Sequence, residues 1–208
     1  MPADRQDGSA AAPELRRPGL DWTAMLRRSP LEAVPECVAG RWWAAHTRPR
    51  CEKLLAEDLA VRGVFQYLPV CARTTRSRRT GRRSRSIVPV FTGYVFFIAD
   101  EEQRIRALAT NRIVTLLPVA AQDELIRQLR SVQAVVRHGL DVECGPAVHV
   151  GDWVRVVAGP LAGLAGRVLQ RRSSMRLIIN VRILAQSVSV DISRDTVEPL
   201  AGPPDQAD

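Results

Sequence analysis

The chain has 208 residues and a hydrophobic content of 46%, enough for one or two domains with a buried core. Its net charge of +8 predicts a polyanionic partner, either nucleic acid or an acidic membrane surface. The cysteines lack C-x-x-C spacing and the histidines stand apart, which argues against a zinc site and a disulfide framework. No apolar run approaches the length of a membrane span. We therefore expect a cytoplasmic protein that binds no metal, cofactor or membrane.

The beginning of the chain lacks the pattern of a folded domain. Residues 1–40 are rich in Ala, Pro, Arg and acids, with weak periodicity, and predict a disordered N-terminal extension. A short helix around Asp21–Arg28 is the one element expected there. Regular structure is expected to begin at Arg41.

Residues 41–138 predict alternating strands and helices, an α+β sandwich with an antiparallel sheet. Gly63 and Gly139 stand where helices should end, and Asp100 with Gln103 forms a capping-box pattern. The predicted elements are a strand at 42–47, a helix at 51–62, a strand at 64–70, two strands within 87–98, a helix at 100–110, a strand at 113–117 and a helix at 121–137. The helix positions expected to face inward are Ile105, Leu108, Ala109, Leu125, Leu129, Val132 and Val136.

The stretch from Ile87 to Ile98 holds three of the four Phe residues. Alternation places Tyr94, Phe96 and Ile98 on one face of a strand and Val95 and Phe97 on the other. Both faces are apolar and need a cover. The strand is therefore either central and packed on both sides, or open on one face that docks another protein.

The segment from Arg73 to Arg85 carries seven arginines and no acid. We interpret it as a loop that faces nucleic acid and contacts phosphates without reading sequence. The alternatives are a solvated hairpin tip and a nuclear localisation patch. The expected nucleic-acid-binding residues are Arg73, Arg76, Arg78, Arg79, Arg82, Arg83 and Arg85.

The C-terminal part predicts a second, all-β unit. Residues 139–149 contain Gly145-Pro146 and are expected to be a linker. Residues 150–200 combine short β-branched strands with glycine turns, which favours a small barrel over a helical hairpin. Residues 201–208 are expected to form a flexible tail.

Three segments carry a family resemblance. Residues 42–55 read W-W-A-A-H-T-R-P-R-C-E-K-L-L, and residues 88–97 read V-P-V-F-T-G-Y-V-F-F. Residues 150–168 read V-G-D-W-V-R-V-V-A-G-P-L-A-G-L-A-G-R-V. Together they resemble the NusG family of transcription elongation factors. The resemblance implies an NGN domain over 41–138 and a KOW domain over 150–200.

This resemblance also implies partners. NGN domains dock on the clamp helices of RNA polymerase through an aromatic, apolar pocket, near upstream and non-template DNA. The positions expected to contact polymerase are Trp43, Arg48, Phe91, Tyr94 and Phe96. His46, in the H-T-x-P segment, is expected to be structural, because no motif-spaced catalytic partner accompanies it.

Some positions depart from the family pattern. Thr92 replaces a common proline, and Ala185 replaces a common hairpin glycine. Leu161 stands where an aromatic residue helps KOW domains to bind a small-subunit ribosomal protein or Rho, which places those partnerships in doubt. The expected partner-binding residues of this domain are Pro160, Leu161 and Leu184.

The expected function is modulation of pausing, termination or antitermination by a monomeric, polymerase-bound factor. The long N-terminal extension, the arginine-dense loop and Leu161 favour an operon-specific antiterminator of the RfaH kind. A housekeeping NusG and an RNA-binding KOW protein of the ribosome are the alternatives. An enzyme is not expected, because the sequence has no phosphate-binding loop, metal cluster or acid–base pair.

Overall fold

The computed structural model describes residues 20–27, 40–76, 79–170 and 175–204. The helices are α1 Trp22–Arg27, α2 Glu52–Val61, α3 Glu101–Leu108 and α4 Gln122–Arg137. The strands are β1 Arg41–Thr47, β2 Gln66–Tyr67, β3 Val70–Arg76, β4 Arg83–Pro89, β5 Tyr94–Ala99, β6 Ile113–Pro118, β7 Glu143–Pro146, β8 Asp152–Val156, β9 Ala165–Gln170, β10 Met175–Val181, β11 Gln186–Ile192 and β12 Val197–Leu200. In these ranges no helix is both long and apolar enough to cross a membrane. Most of the predicted N-terminal extension, residues 1–19 and 28–39, lies outside the described residues.

Four strands form the N-terminal sheet, in the antiparallel order β2-β5-β1-β6. Strand β5 is an inner strand, packed on both faces. Tyr94, Phe96 and Ile98 lie on the α4 side, while Val95 and Phe97 lie on the α2 side. The predicted alternation is confirmed. The strand is central and covered on both faces at Phe96 and Phe97, which are fully buried, whereas Tyr94 at its start is half-buried.

Helices α2 and α3 cover one face of the N-terminal sheet. The predicted capping box at Asp100 and Gln103 is present, but the expected inward face of α3 is wrong. Ala107 is fully buried, whereas the Ile105 side chain is 57% exposed. The helix faces the sheet with Ala107, which belongs to the apolar cluster there, and with Arg104, one turn earlier, which lies over the ring of Trp43 at 5.7 Å.

Helix α4 covers the other face of the sheet and uses two stripes. The predicted stripe at 4-3-4 spacing is buried against the sheet, and it consists of Leu125, Leu129, Val132 and Val136. Beside it the Tyr67 hydroxyl donates to Gln133 Oε1 at 2.5 Å, and burial raises the pKa of Tyr67. A second stripe, Glu124, Gln128, Ser131 and Val135, repeats the same spacing, and Val135 is fully buried.

The C-terminal sheet has six antiparallel strands in the order β12-β8-β9-β10-β11-β7. Its β-branched inward positions surround an apolar interior, which agrees with the predicted all-β unit. The predicted linker is partly a strand, because β7 pairs with β11. Arg176 holds this edge by donating to Asp191 at 2.9 Å and to Glu143.

The two sheets share one cluster of buried apolar side chains. Across it, Arg182 donates from Nη1 to Glu124 Oε1 at 2.7 Å and from its backbone N–H to Gln128 Oε1 at 3.1 Å. The Cys144 thiol donates to Val90 O at 2.8 Å. The second stripe of α4 therefore belongs to the contact between the sheets.

Candidate nucleic-acid interface

The arginine segment is a β-ribbon rather than a loop. Strands β3 and β4 form a separate two-stranded antiparallel sheet, which we call the ribbon. Its register pairs Val70 with Pro89 at the base and Arg76 with Arg83 near the tip. The ribbon was not predicted from the sequence, because Ser, Thr and Arg dominate it and apolar alternation is the main signal for a strand.

The ribbon places its arginines in water. The six described members of the predicted nucleic-acid site are exposed and form no ion pair with a described residue; they are Arg73, Arg76, Arg79, Arg82, Arg83 and Arg85. The seventh, Arg78, lies outside the described residues. At the tip Arg76 Nε donates to Gly81 O at 3.2 Å, which steadies the turn.

Contacts with the N-terminal sheet fix the base of the ribbon. Val90 N donates to Pro69 O at 2.8 Å, which closes the two strands at their root. Lys53 Nζ, from α2, donates to Ile87 O at 2.8 Å. Cys71 packs against the cluster shared with the C-terminal sheet. The ribbon therefore protrudes from a fixed base with an exposed, cationic outer half.

Next to the ribbon, the turn before β5 is held by a buried carboxylate that the sequence analysis did not single out. Glu52 is 5% exposed, and its Oε1 accepts from Gly93 N at 2.7 Å. Thr47 N donates to Gly93 O at 2.8 Å, so the turn is tied to the end of β1 as well. An acid at the first position of a helix was the available signal.

The predicted polymerase-binding side chains do not form one open surface. Phe91 and Phe96 are fully buried, with ring centroids 6.4 Å apart in an edge-to-face arrangement. Tyr94 is half-buried on the same side, and its ring lies 5.0 Å from His46. Trp43 lies on the opposite side of the sheet, because neighbouring positions on β1 point to opposite faces. Arg48 is exposed just beyond β1.

The predicted partner-binding residues of the C-terminal unit also include both exposed and buried side chains. Pro160 is exposed, whereas Leu161 and Leu184 are 3% and 6% exposed and belong to the apolar cluster. Both leucines therefore lie in the apolar cluster that the two sheets share, and Pro160 is the exposed member of the set.

Comparison with known proteins assigns the N-terminal half. Residues 40–139 match the NusG family model, described as transcription termination factor nusG. Residues 40–139 of the chain belong to the NusG family. The matched range covers the N-terminal sheet, helices α2, α3 and α4, and the ribbon. The family consists of transcription elongation factors that are not enzymes.

Two solved structures are similar to this NusG-family chain. One is described as the crystal structure of the MjSpt4:Spt5 complex in conformation A, with 15% identity over 78% of this chain and 99% of that chain, at a TM-score of 0.28. The other is conformation B of the same complex, with 17% identity, 78% and 98% coverage and a TM-score of 0.26. Comparison with curated proteins gave no match.

Proposed function

We propose that this chain binds RNA polymerase and suppresses pausing and termination on a small set of operons, with its ribbon resting on DNA. The observation that carries the proposal is a protruding, acid-free ribbon of exposed arginines within the segment that matches the NusG family model. Such a surface gives salt-dependent affinity for phosphates. Attachment to polymerase would hold it beside DNA.

The polymerase contact of this proposal centres on Tyr94 and Arg48. Tyr94 is the accessible aromatic side chain on its face of β5, and Phe91 and Phe96 support it from beneath. Arg48 is exposed beyond the neighbouring strand β1, which pairs His46 with Tyr94. Trp43 has a supporting role here, because its indole Nε1 donates to Ala99 O at 3.4 Å on the other face.

Retention on immobilised RNA polymerase tests this contact. Tyr94→Ala removes the partly exposed ring and is expected to reduce retention strongly, since interface aromatics dominate binding energy. Thr92→Ala, at an exposed position of the same turn, is the matched control. Equal retention of the wild-type protein and a folded Tyr94→Ala variant would remove Tyr94 from the interface.

The DNA contact is tested in the reconstituted elongation complex. Changing Arg79, Arg82 and Arg83 to Gln is expected to weaken DNA crosslinking and to flatten its dependence on salt, because fewer counterions are released. The control changes Arg127, Arg130 and Arg137 of α4, which removes the same charge outside the ribbon. A salt dependence identical to that of the wild-type protein would show that the ribbon is only solvated.

The specialised role is tested by deleting the gene and mapping transcript ends. Loss of distal transcription in one or a few operons would support operon-specific antitermination. Lethality, or a genome-wide change in termination, would instead indicate a housekeeping factor. The buried positions of Leu161 and Leu184 support the specialised role, since they leave Pro160 as the exposed member of the predicted ribosome- and Rho-facing set.

A further inference from the structure

The two faces of the ribbon differ in chemistry. Residues directly opposite each other in an antiparallel pair share a face, and neighbours along a strand alternate. One face, which we call the arginine face, consists of Thr74, Arg76, Arg83 and Arg85. The other, the hydroxyl face, consists of Arg73, Thr75, Ser84 and Ser86. The sequence alone shows seven arginines in this segment. The strand register places three of the arginines within β3 and β4 on the arginine face and one on the hydroxyl face.

The arginine face brings like charges together, which the hydroxyl face does not. Arg76 and Arg83 are directly opposite each other, and like charges at such a pair are destabilising. No acid occurs between Asp58 and Asp100 to relieve them. On the hydroxyl face, by contrast, Ser86 Oγ donates to Arg73 O at 3.5 Å. An anion bound to the arginine face would remove its internal repulsion.

The base of the ribbon fixes the direction of each face. Ile87 continues the arginine face and packs on the α2 side, where Lys53 donates to its carbonyl and extends the positive charge. Cys71 continues the hydroxyl face and packs on the side of α4 and the C-terminal sheet. The arginine face is therefore the one turned away from the C-terminal sheet.

We propose that the arginine face binds the major groove of double-stranded DNA, a proposal that rests on the function proposed above and specifies its nucleic-acid ligand. The major groove, about 12 Å wide, admits a two-stranded β-ribbon. Among the described residues this ribbon has no third strand; α1 packs against β3, and the side chains of the arginine face remain exposed. Arg76, Arg83 and Arg85 then contact phosphates and groove edges from one side.

Two neighbouring threonines provide a matched test. Thr74 lies on the arginine face and Thr75 on the hydroxyl face, and both are exposed. The full-length protein is titrated with a fluorescently labelled mixed-sequence DNA duplex over a series of salt concentrations. Thr74→Glu places a carboxylate beside Arg85 and is expected to weaken binding about tenfold and to lower the salt slope by about 0.9 per lost contact. Thr75→Glu is expected to change affinity less than twofold or so.

A second pair removes charge instead of adding it. Arg85→Gln and Arg73→Gln each delete one positive charge, from the arginine face and the hydroxyl face respectively. The proposal expects the larger loss of duplex affinity for Arg85→Gln. Equal losses within both pairs would overturn it, because they would show a diffuse electrostatic attraction without a preferred face.

The class of nucleic acid is tested by competition. The DNA duplex is expected to compete better than its single strand, and better than an RNA duplex, whose deep and narrow major groove excludes side chains. Equal competition by the single strand overturns the proposal. Retention of Thr74→Glu on immobilised polymerase separates polymerase binding from duplex binding. Unchanged retention with weakened duplex binding supports both proposals. Failure of the wild-type protein to bind polymerase refutes the proposed function alone.

Discussion

At the scale of single residues, Glu52 links the N-terminus of α2 to the turn before β5. Replacing Glu52 with Ala leaves the Gly93 N–H without its acceptor in a buried site. We expect the free energy of unfolding to fall by about 2–3 kcal/mol, since hydrogen bonds to charged groups are among the stronger ones. Urea denaturation measures the change. Glu52→Gln keeps an acceptor oxygen and should lose less; an equal loss in both variants would indicate that charge, not the bond to Gly93, matters.

The backbone of Ala185 is strained, and removal of its Cβ should relieve the strain. It follows the short 3-10 turn Arg182–Leu184 with φ 50° and ψ 34°, the left-handed region that L residues avoid. Ala185→Gly is expected to raise the free energy of unfolding by about 0.5 kcal/mol, the relief of strain being partly offset by greater unfolded-state entropy. Thermal unfolding measures this effect. Ala162→Gly, at an exposed position without positive φ, should destabilise, and the same sign in both would contradict the explanation.

At the scale of elements, strands β9 and β10 approach so closely that Gly166 has no room for a side chain. A Cβ there would lie 2.6 Å from Ile178 O and 3.0 Å from Leu177 Cδ1. Gly166→Ala is expected to cost about 1–3 kcal/mol, as overpacking does, and to speed hydrogen exchange in β10 and β11. Gly145→Ala, whose Cβ would meet nothing within 4 Å, is the control. Equal exchange in the two variants would mean that the strands adjust without cost.

The sequence predicted those helices and strands in which apolar residues recur with a single clear period. Helix α4 and the alternation along β5 follow their patterns because their buried stripes need large side chains. The inward face of α3 could not be inferred, since Ala107 is buried for its small size and Ile105 remains exposed. The ribbon was missed because backbone pairing, without apolar alternation, holds its outer half. The accessibility of Phe91 depends on the fold of the whole chain, which local periodicity does not contain.

At the scale of the whole molecule, the Arg182–Glu124 pair joins helix α4 to the turn after β10 of the C-terminal sheet. Arg182→Glu places like charges together and should loosen that contact. Cys144 reports the change, because partial burial raises the pKa of its thiol to about 11 and so keeps the thiolate scarce at neutral pH. Opening lowers that pKa towards its ordinary value, so alkylation of Cys144, mapped by mass spectrometry, should accelerate.

The control for this experiment is Arg155→Glu, which makes the same charge reversal at an exposed position of β8. It should leave the alkylation rate of Cys144 near that of the wild-type protein. Equal acceleration in both variants would mean that net charge, rather than contact between the sheets, controls access to the thiol. No acceleration in Arg182→Glu would show that the shared apolar cluster suffices to hold the sheets together.

The ribbon is a separate sheet, and the described residues of its outer half make no contribution to the apolar clusters. Its length and charge can therefore vary over evolutionary time without a penalty to folding, as long as the root near Pro69 and Val90 is kept. If the ribbon binds DNA as proposed, selection can tune how long such a protein stays on chromosomal DNA independently of how stably it folds. Gene duplicates that diverge mainly in this ribbon would then acquire different targets while retaining an interchangeable scaffold.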